Sequence, residues 1–123
     1  MNLKSKSKDS LSLQLRLRIV CSKKIALGPG KVELLKLIEE TGSLNKAAKR
    51  MGMSYMRAWT LVQTMNECFR EPVVIAERGG RAGGGMKVTE TGRRALVLYQ
   101  KIEFTACSST TASWRSLQKL LRP

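Results

Sequence analysis

The sequence predicts a mainly helical α+β fold with a short antiparallel sheet. Several stretches after residue 30 carry apolar residues at helical spacing, whereas residues 11–20 alternate apolar and polar side chains with a period of two. A glycine-rich segment, residues 78–85, separates two short apolar runs that can pair as a hairpin. The length of 123 residues is sufficient for one compact domain.

The first elements along the chain are a strand and a helix. Residues 11–20 are expected to form a single β-strand, because Leu or Ile at every second position gives it one apolar face. Its partner stays open, either in the hairpin sheet or in a second copy of the chain. Gly28, Pro29 and Gly30 interrupt this pattern, and a helix is expected from there to Gly42.

Two more helices are expected to meet at a very short turn. Ser43 can cap the second helix, and Gly52 supplies the positive φ that ends it. Ser54 then offers an oxygen that caps the third helix, predicted over residues 54–68. The sequence therefore predicts a sharp helix-to-helix turn.

The third helix has one apolar stripe. Ala58, Val62 and Met65 follow helical spacing and are expected in the core. Trp59 is also expected to pack in the domain interior, because a helical Trp more often packs than stacks on a base.

A hairpin and a last helix follow. Val73–Ile75 and Met86–Val88 are the expected strands, with residues 78–85 as the tip. Thr89 is placed to cap the last helix. The residues expected to share one apolar face of that helix are Ala95, Leu98, Tyr99 and Ile102.

The order of these elements is that of a winged helix-turn-helix. Residues 1–10 are interpreted as a basic N-terminal tail and residues 11–104 as the winged helix-turn-helix domain. Residues 105–123 are interpreted as a linker rich in Ser and Thr, irregular over residues 105–113, followed by a short basic C-terminal segment. The last helix of the domain is assigned to dimerisation.

The charge balance indicates a polyanionic partner. The chain has 23 Lys and Arg against 9 Asp and Glu, a formal net charge of +14, which favours nucleic acid over an anionic membrane. No apolar run approaches the roughly 18 residues of a spanning helix. A secretory signal is also not expected at the N-terminus, which favours a cytoplasmic protein without a membrane partner.

Catalysis and metal binding are not expected. The chain has no His, which is the side chain best suited to proton transfer near neutral pH. Its 3 Cys lack a CxxC pair and are interpreted as free thiols. The glycine-rich tip lacks the Gly-Lys-Ser/Thr ending of a phosphate loop. The sequence therefore predicts no catalytic residue, no metal and no cofactor.

The helix-turn-helix order assigns roles to individual side chains. The N-terminal part of the third helix would face base edges in the major groove, while basic side chains on the second helix and the hairpin would neutralise phosphates. The predicted base contacts are Ser54, Tyr55, Arg57 and Thr60. The predicted backbone contacts are Lys46, Lys49, Arg50, Arg78, Arg81 and Lys87.

Four segments carry a resemblance to a known family. They are Ile38–Leu44 with Ala47-Ala48, Met53–Tyr55 with Ala58-Trp59 and Met65-Asn66, the glycine-rich tip, and Val88-Thr89 with Gly92–Arg94. Over Leu27–Phe104 the chain resembles the DNA-binding domain of the molybdate-responsive ModE family of bacterial transcription regulators.

The resemblance implies a helix-turn-helix of the LysR type and a homodimer on a palindromic operator, dimerised largely through helices outside the recognition helix. Full-length members carry C-terminal oxyanion-binding domains, for which this chain leaves no room, so no oxyanion cofactor is expected.

The sequence thus predicts a sequence-specific transcription regulator that binds double-stranded DNA as a homodimer. Two alternatives stay open. One is a non-specific nucleoid or RNA-binding protein, for which the basic charge alone would suffice. The other is a DNA-binding adaptor for a separate sensor protein.

Overall fold

A computed structural model describes residues 2–4, 11–77 and 85–122. The strands in these ranges are β1 (Asn2–Lys4), β2 (Ser12–Gln14), β3 (Ile19–Cys21), β4 (Lys24–Leu27), β5 (Val74–Glu77) and β6 (Gly85–Val88). The helices are α1 (Pro29–Thr41), α2 (Leu44–Arg50), α3 (Tyr55–Cys68), α4 (Glu90–Ser109) and α5 (Thr111–Gln118). The fold is therefore mainly helical with short antiparallel strand pairs, as predicted.

The described residues divide into two compact units. The first contains residues 2–4, 11–17 and 98–122, and the second contains residues 18–77 and 85–97. No helix in the described ranges is long and apolar enough to cross a membrane.

The core of the second unit lies among α1, α2 and α3. Leu34, Leu35 and Ile38 of α1 have no exposed surface, and Val62 and Met65 of α3 are at most 1% exposed. Burial of such side chains contributes about 1.5–3 kcal/mol each to folding. The apolar stripe predicted for the third helix is confirmed.

The helix ends follow the predicted local chemistry. Gly42 and Gly52 adopt φ values of 67° and 68°, the left-handed conformation that ends α1 and interrupts the chain after α2. The hydroxyl oxygens of Ser43 and Ser54 each accept from the backbone N–H three residues further on, at 3.1 Å. Thr89 caps α4 in the same way, at 3.0 Å.

The predicted hairpin is formed by β5 and β6. Val74 pairs with Val88 and Glu77 with Gly85 in an antiparallel register. The backbone N–H of Met86 donates to the carbonyl of Gly42 (3.1 Å), which ties β6 to the end of α1. Residues 78–84 of the predicted tip lie outside the described ranges.

The prediction of one strand over residues 11–20 is wrong. β2 pairs with β1 in the first unit, whereas β3 pairs with β4 in the second. Residues 15–18, between β2 and β3, form no strand because their backbone is not paired. The exposure of their side chains nevertheless alternates. The Tyr99 hydroxyl instead donates to the carbonyl of Leu17 (2.7 Å).

The prediction of irregular structure over residues 105–113 is also wrong. α4 continues to Ser109, and α5 begins at Thr111. The hydroxyl groups here form hydrogen bonds with backbone carbonyls of the preceding turn. Ser108 donates to the carbonyl of Phe104 (2.9 Å), and Thr110 donates to that of Cys107 (2.9 Å). Ser and Thr that bond in this way are compatible with a helix.

The apolar face predicted for α4 is partly wrong. Ala95 and Tyr99 are buried, but Leu98 is 52% and Ile102 is 47% exposed. Leu96 is buried instead, because the covered stripe runs beside Ala95 and Tyr99 on the other flank of the helix. The sequence could not tell which flank of a broad apolar surface is covered.

Candidate nucleic-acid interface

The connection between α2 and α3 is fixed by main-chain hydrogen bonds. The N–H of Gly52 donates to the carbonyl of Lys49 (3.1 Å), and that of Met53 to the carbonyl of Ala48 (3.0 Å). Because these bonds fold the turn back on α2, the first residue of α3 follows at once. The start of α3 is thereby held in a defined place.

The predicted base-contact residues lie together at the start of α3. Ser54, Tyr55, Arg57 and Thr60 are all exposed. The first turn of α3 contains no acidic residue, so the partial positive charge of the helix N-terminus is not offset there. The Ser54 oxygen already serves as the cap, which leaves its hydroxyl proton for a further partner.

Two further residues that are not among the predicted contacts share this surface. Met56 is 64% exposed, and Gln63 is half-buried. Successive residues of a helix are rotated by about 100°, so Met56 and Gln63 lie with Thr60 on the side of α3 opposite its buried stripe. The helical period of the sequence does contain this signal, because it assigns Met56 and Gln63 to the face opposite the apolar stripe.

Trp59 is not in the interior, contrary to the prediction. Its side chain is 40% exposed, because Ala58 occupies the buried position and Trp59 is rotated about 100° from it. Tyr55 lies one turn before Trp59 and is 46% exposed. α3 therefore presents two aromatic side chains on one flank.

The threonine hydroxyls on α3 already donate to the helix itself. The Thr60 hydroxyl donates to the carbonyl of Met56 (2.9 Å), and the Thr64 hydroxyl donates to the carbonyl of Thr60 (3.0 Å). The Thr60 oxygen thus keeps its acceptor capacity, and its methyl group stays accessible.

The basic residues predicted to contact phosphates differ in their surroundings. Lys46 and Lys49 on α2 and Lys87 on β6 are exposed. Arg50 is exposed too, but its Nη1 lies 3.4 Å from Glu40 Oε1. Such a surface ion pair is weak and can yield to a stronger anion. Arg78 and Arg81 lie outside the described residues.

Asn66 fastens the second half of α3 to the hairpin. Its Nδ2 donates to the carbonyl of Val74 (3.0 Å), and its Oδ1 accepts from the backbone N–H groups of Val73 (2.8 Å) and Val74 (3.3 Å). The sequence does not predict these hydrogen bonds of Asn66, because their partners are main-chain groups seven and eight residues away.

A carboxylate on α3 is neutralised by the neighbouring hairpin. Lys24 at the start of β4 forms an ion pair with Glu67. The hydrogen bond to Glu67, followed by its negative charge, raises the pKa of Lys24. The acid therefore does not add a free negative charge near the exposed face of α3.

Part of this chain is similar in sequence to known proteins. No family model matches the chain. It is 44% identical over 78 residues to the molybdenum transport protein ModE of Azotobacter vinelandii, which covers 63% of this chain and 29% of that protein. The chain is similar to ModE proteins.

Two more relatives extend the comparison. The molybdenum-pterin-binding protein MopB of Rhodobacter capsulatus is 44% identical over 77 residues, which is 63% of this chain and 28% of MopB. The DNA-binding transcriptional dual regulator ModE of Escherichia coli is 33% identical over 89 residues, which is 72% of this chain and 34% of that regulator. The chain thus spans about a third of the length of these relatives.

Proposed function

We propose that this chain is a sequence-specific transcription regulator that binds double-stranded DNA. In the proposal the helix of residues 54–68 enters the major groove and the β5–β6 hairpin lies on the sugar-phosphate backbone. The observation that carries it is the exposed, acid-free start of α3, capped by Ser54 directly after a fixed turn. The net charge of +14 and the similarity to a DNA-binding regulator support it.

Base reading is assigned to the exposed start of α3. Arg57 can donate two hydrogen bonds to O6 and N7 of guanine, and Tyr55 can bond a base or a phosphate. Ser54 and Thr60 complete the predicted set, and Met56 adds an apolar group suited to a thymine methyl. These contacts would supply the discrimination between sequences.

Phosphate binding is assigned to the basic residues around this helix. Their charges would increase affinity for any duplex and fix its register without reading the sequence. The residues proposed for this role are Lys46, Lys49, Arg50, Arg78, Arg81 and Lys87.

The proposal includes a homodimer. Leu98 and Ile102 lie one turn apart on α4 and are 52% and 47% exposed, an apolar surface that a second copy could cover. A two-fold dimer would place two recognition helices on a palindromic site. Light scattering of the full chain tests this part, and a monomer at all concentrations would contradict it.

The molybdenum in the names of two relatives is not carried over to this chain. The chain covers only 29% and 28% of those proteins. A molybdenum ligand is therefore not part of the proposal.

Selection of bound duplexes from a random library is the experiment that tests the function. The full chain is expected to enrich a palindrome and to hold it about a thousandfold more tightly than random DNA. The selected duplex is then titrated at several salt concentrations, with single-stranded RNA as competitor. Failure to enrich any sequence, with binding lost steeply as salt rises, would support the non-specific alternative instead.

A further inference from the structure

Two cysteines lie close together at the C-terminal end of α3. Cys68 is the last residue of α3 and Cys21 is the last residue of β3, and they are 47 positions apart in the sequence. The Cys21 thiol donates to the carbonyl oxygen of Cys68, with Sγ 3.8 Å from that oxygen. Both side chains are half-buried, so a small oxidant can reach them.

The surrounding contacts hold this pair in place. Cys21 pairs with Lys24 across the β3–β4 hairpin, which turns at Ser22 with a φ of 57°. Lys24 in turn forms the ion pair with Glu67, the neighbour of Cys68. Two adjacent positions of α3 are therefore attached to two positions of the same hairpin.

We propose that Cys21 and Cys68 form an oxidation site that takes a peroxide and closes to an intramolecular disulfide. One thiol releases its proton, the thiolate attacks a peroxide oxygen and the O–O bond breaks, so that a sulfenic acid forms and the departing hydroxide takes up the released proton as water. The second thiolate then attacks that sulfur, the S–S bond forms, and hydroxide leaves and takes up a proton. Overall, two thiols and hydrogen peroxide give one disulfide and two waters, and two electrons pass from sulfur to oxygen.

Burial and the neighbouring lysine charges change the pKa of Cys68 in opposite directions. Burial raises the pKa of Cys68, and the hydrogen bond with Cys21 raises it further, whereas Lys24 and Lys31 lower it. Burial therefore lowers the fraction of reactive thiolate at Cys68, and the two lysines offset only part of this effect.

The disulfide would join the end of α3 covalently to the hairpin that already contacts it. A cross-link over a separation of 47 positions removes conformational freedom from the unfolded chain, so the oxidised protein should melt at a higher temperature. Neither cysteine belongs to the predicted DNA contacts, and the readout does not involve DNA.

Peptide mapping of the full chain after treatment with hydrogen peroxide tests the inference. Cys107→Ser removes the third thiol and keeps the pair, whereas Cys21→Ser removes one member of the pair. In the wild type and Cys107→Ser we expect a linked peptide that contains Cys21 and Cys68, a mass lower by about 2 Da for the two lost hydrogens, and reversal by dithiothreitol.

Thermal unfolding provides the second measurement. Oxidation should raise the melting temperature of the wild type and Cys107→Ser and leave that of Cys21→Ser unchanged. Free thiols after treatment, conversion to sulfinic acid without a linked peptide, or a disulfide between two copies would each overturn the inference.

Discussion

The two halves of α3 differ in what holds them. In the first half, the side chains of Tyr55, Met56 and Arg57 are exposed. In the second half, Asn66 is bonded to the β5 backbone and Glu67 is paired with Lys24. The same helix thus has one half that is offered to solvent and one half that is fastened to two hairpins.

The difference shows how a short helix can be both rigid and accessible. A side chain that reads a base must be placed to within a fraction of an ångström, yet it cannot be covered by its own protein. Fixing the far half of α3 by Asn66 and the near end by the Ser54 cap satisfies both conditions.

Replacing Asn66 should cause the largest loss of stability. Asn66→Ala removes the partners of the Val73 N–H and the Val74 carbonyl, and we expect a loss of about 3 kcal/mol in the free energy of unfolding. Urea denaturation measures it. Gln63→Ala, on the exposed face, is the control and should change stability by less than about 0.5 kcal/mol. Equal losses would show that the two halves are not held differently.

Replacing Arg57 should separate base reading from stability. Arg57→Ala is expected to weaken binding to the selected duplex by about 10- to 100-fold and binding to random DNA far less. Lys49→Ala should weaken both about equally and reduce the salt dependence. Fluorescence anisotropy titrations measure both. If the two variants lose specific and random binding in the same ratio, the base-reading role of Arg57 is refuted.

Removal of the Ser54 cap should have a smaller effect on folding. Ser54→Ala leaves the Arg57 N–H without its acceptor and should cost about 1 kcal/mol in the free energy of unfolding. Ser43→Ala, at the equivalent cap of α2, is the matched control and should cost a similar amount. Only Ser54→Ala should also reduce affinity for the selected duplex beyond the loss of stability.

Removal of the Lys24–Glu67 pair should have the smallest effect. The pair is exposed, so Glu67→Gln should barely change the urea midpoint at neutral pH. Because the folded-state pKa of Lys24 is raised, its contribution is complete below the unfolded pKa and is lost as pH rises through the folded pKa. The difference between wild type and variant should therefore vanish at high pH, and a difference that grows there would contradict this assignment.

Local signals in the sequence predicted the helix ends well. Ser43, Ser54 and Thr89 act as caps, and Gly42 and Gly52 adopt positive φ, because each requirement involves only neighbouring backbone groups. The β5–β6 pairing is predicted for the same reason, since two short apolar runs flank one glycine-rich segment of the sequence.

Features that depend on distant partners were not predictable. The alternation over residues 11–20 continues through a break, because period-two patterning does not reveal whether a backbone partner is present. Residue type alone predicts an interior position for Trp59, although its position on the helix lies beside the buried stripe. Asn66 depends on acceptors and donors that only the folded chain brings near.

The predicted base-contact residues are exposed at the start of α3, and their contacts with DNA stay predictions. Ser54, Tyr55, Arg57 and Thr60 are exposed together because the cap and the helical period place them there. Those rules describe one chain, whereas contact with a base depends on the shape of the partner as well.

The hydrogen bond from the Thr60 hydroxyl to the Met56 carbonyl restricts the chemistry that this residue can offer to a base. With its proton engaged, Thr60 can only accept, through its oxygen, or touch through its methyl group. In a major groove these properties match the amino groups of adenine and cytosine and the methyl group of thymine, whereas N7 and O6 of guanine require a donor. In the proposed complex, this hydrogen bond within the helix would therefore bias the preferred sequence at one base pair.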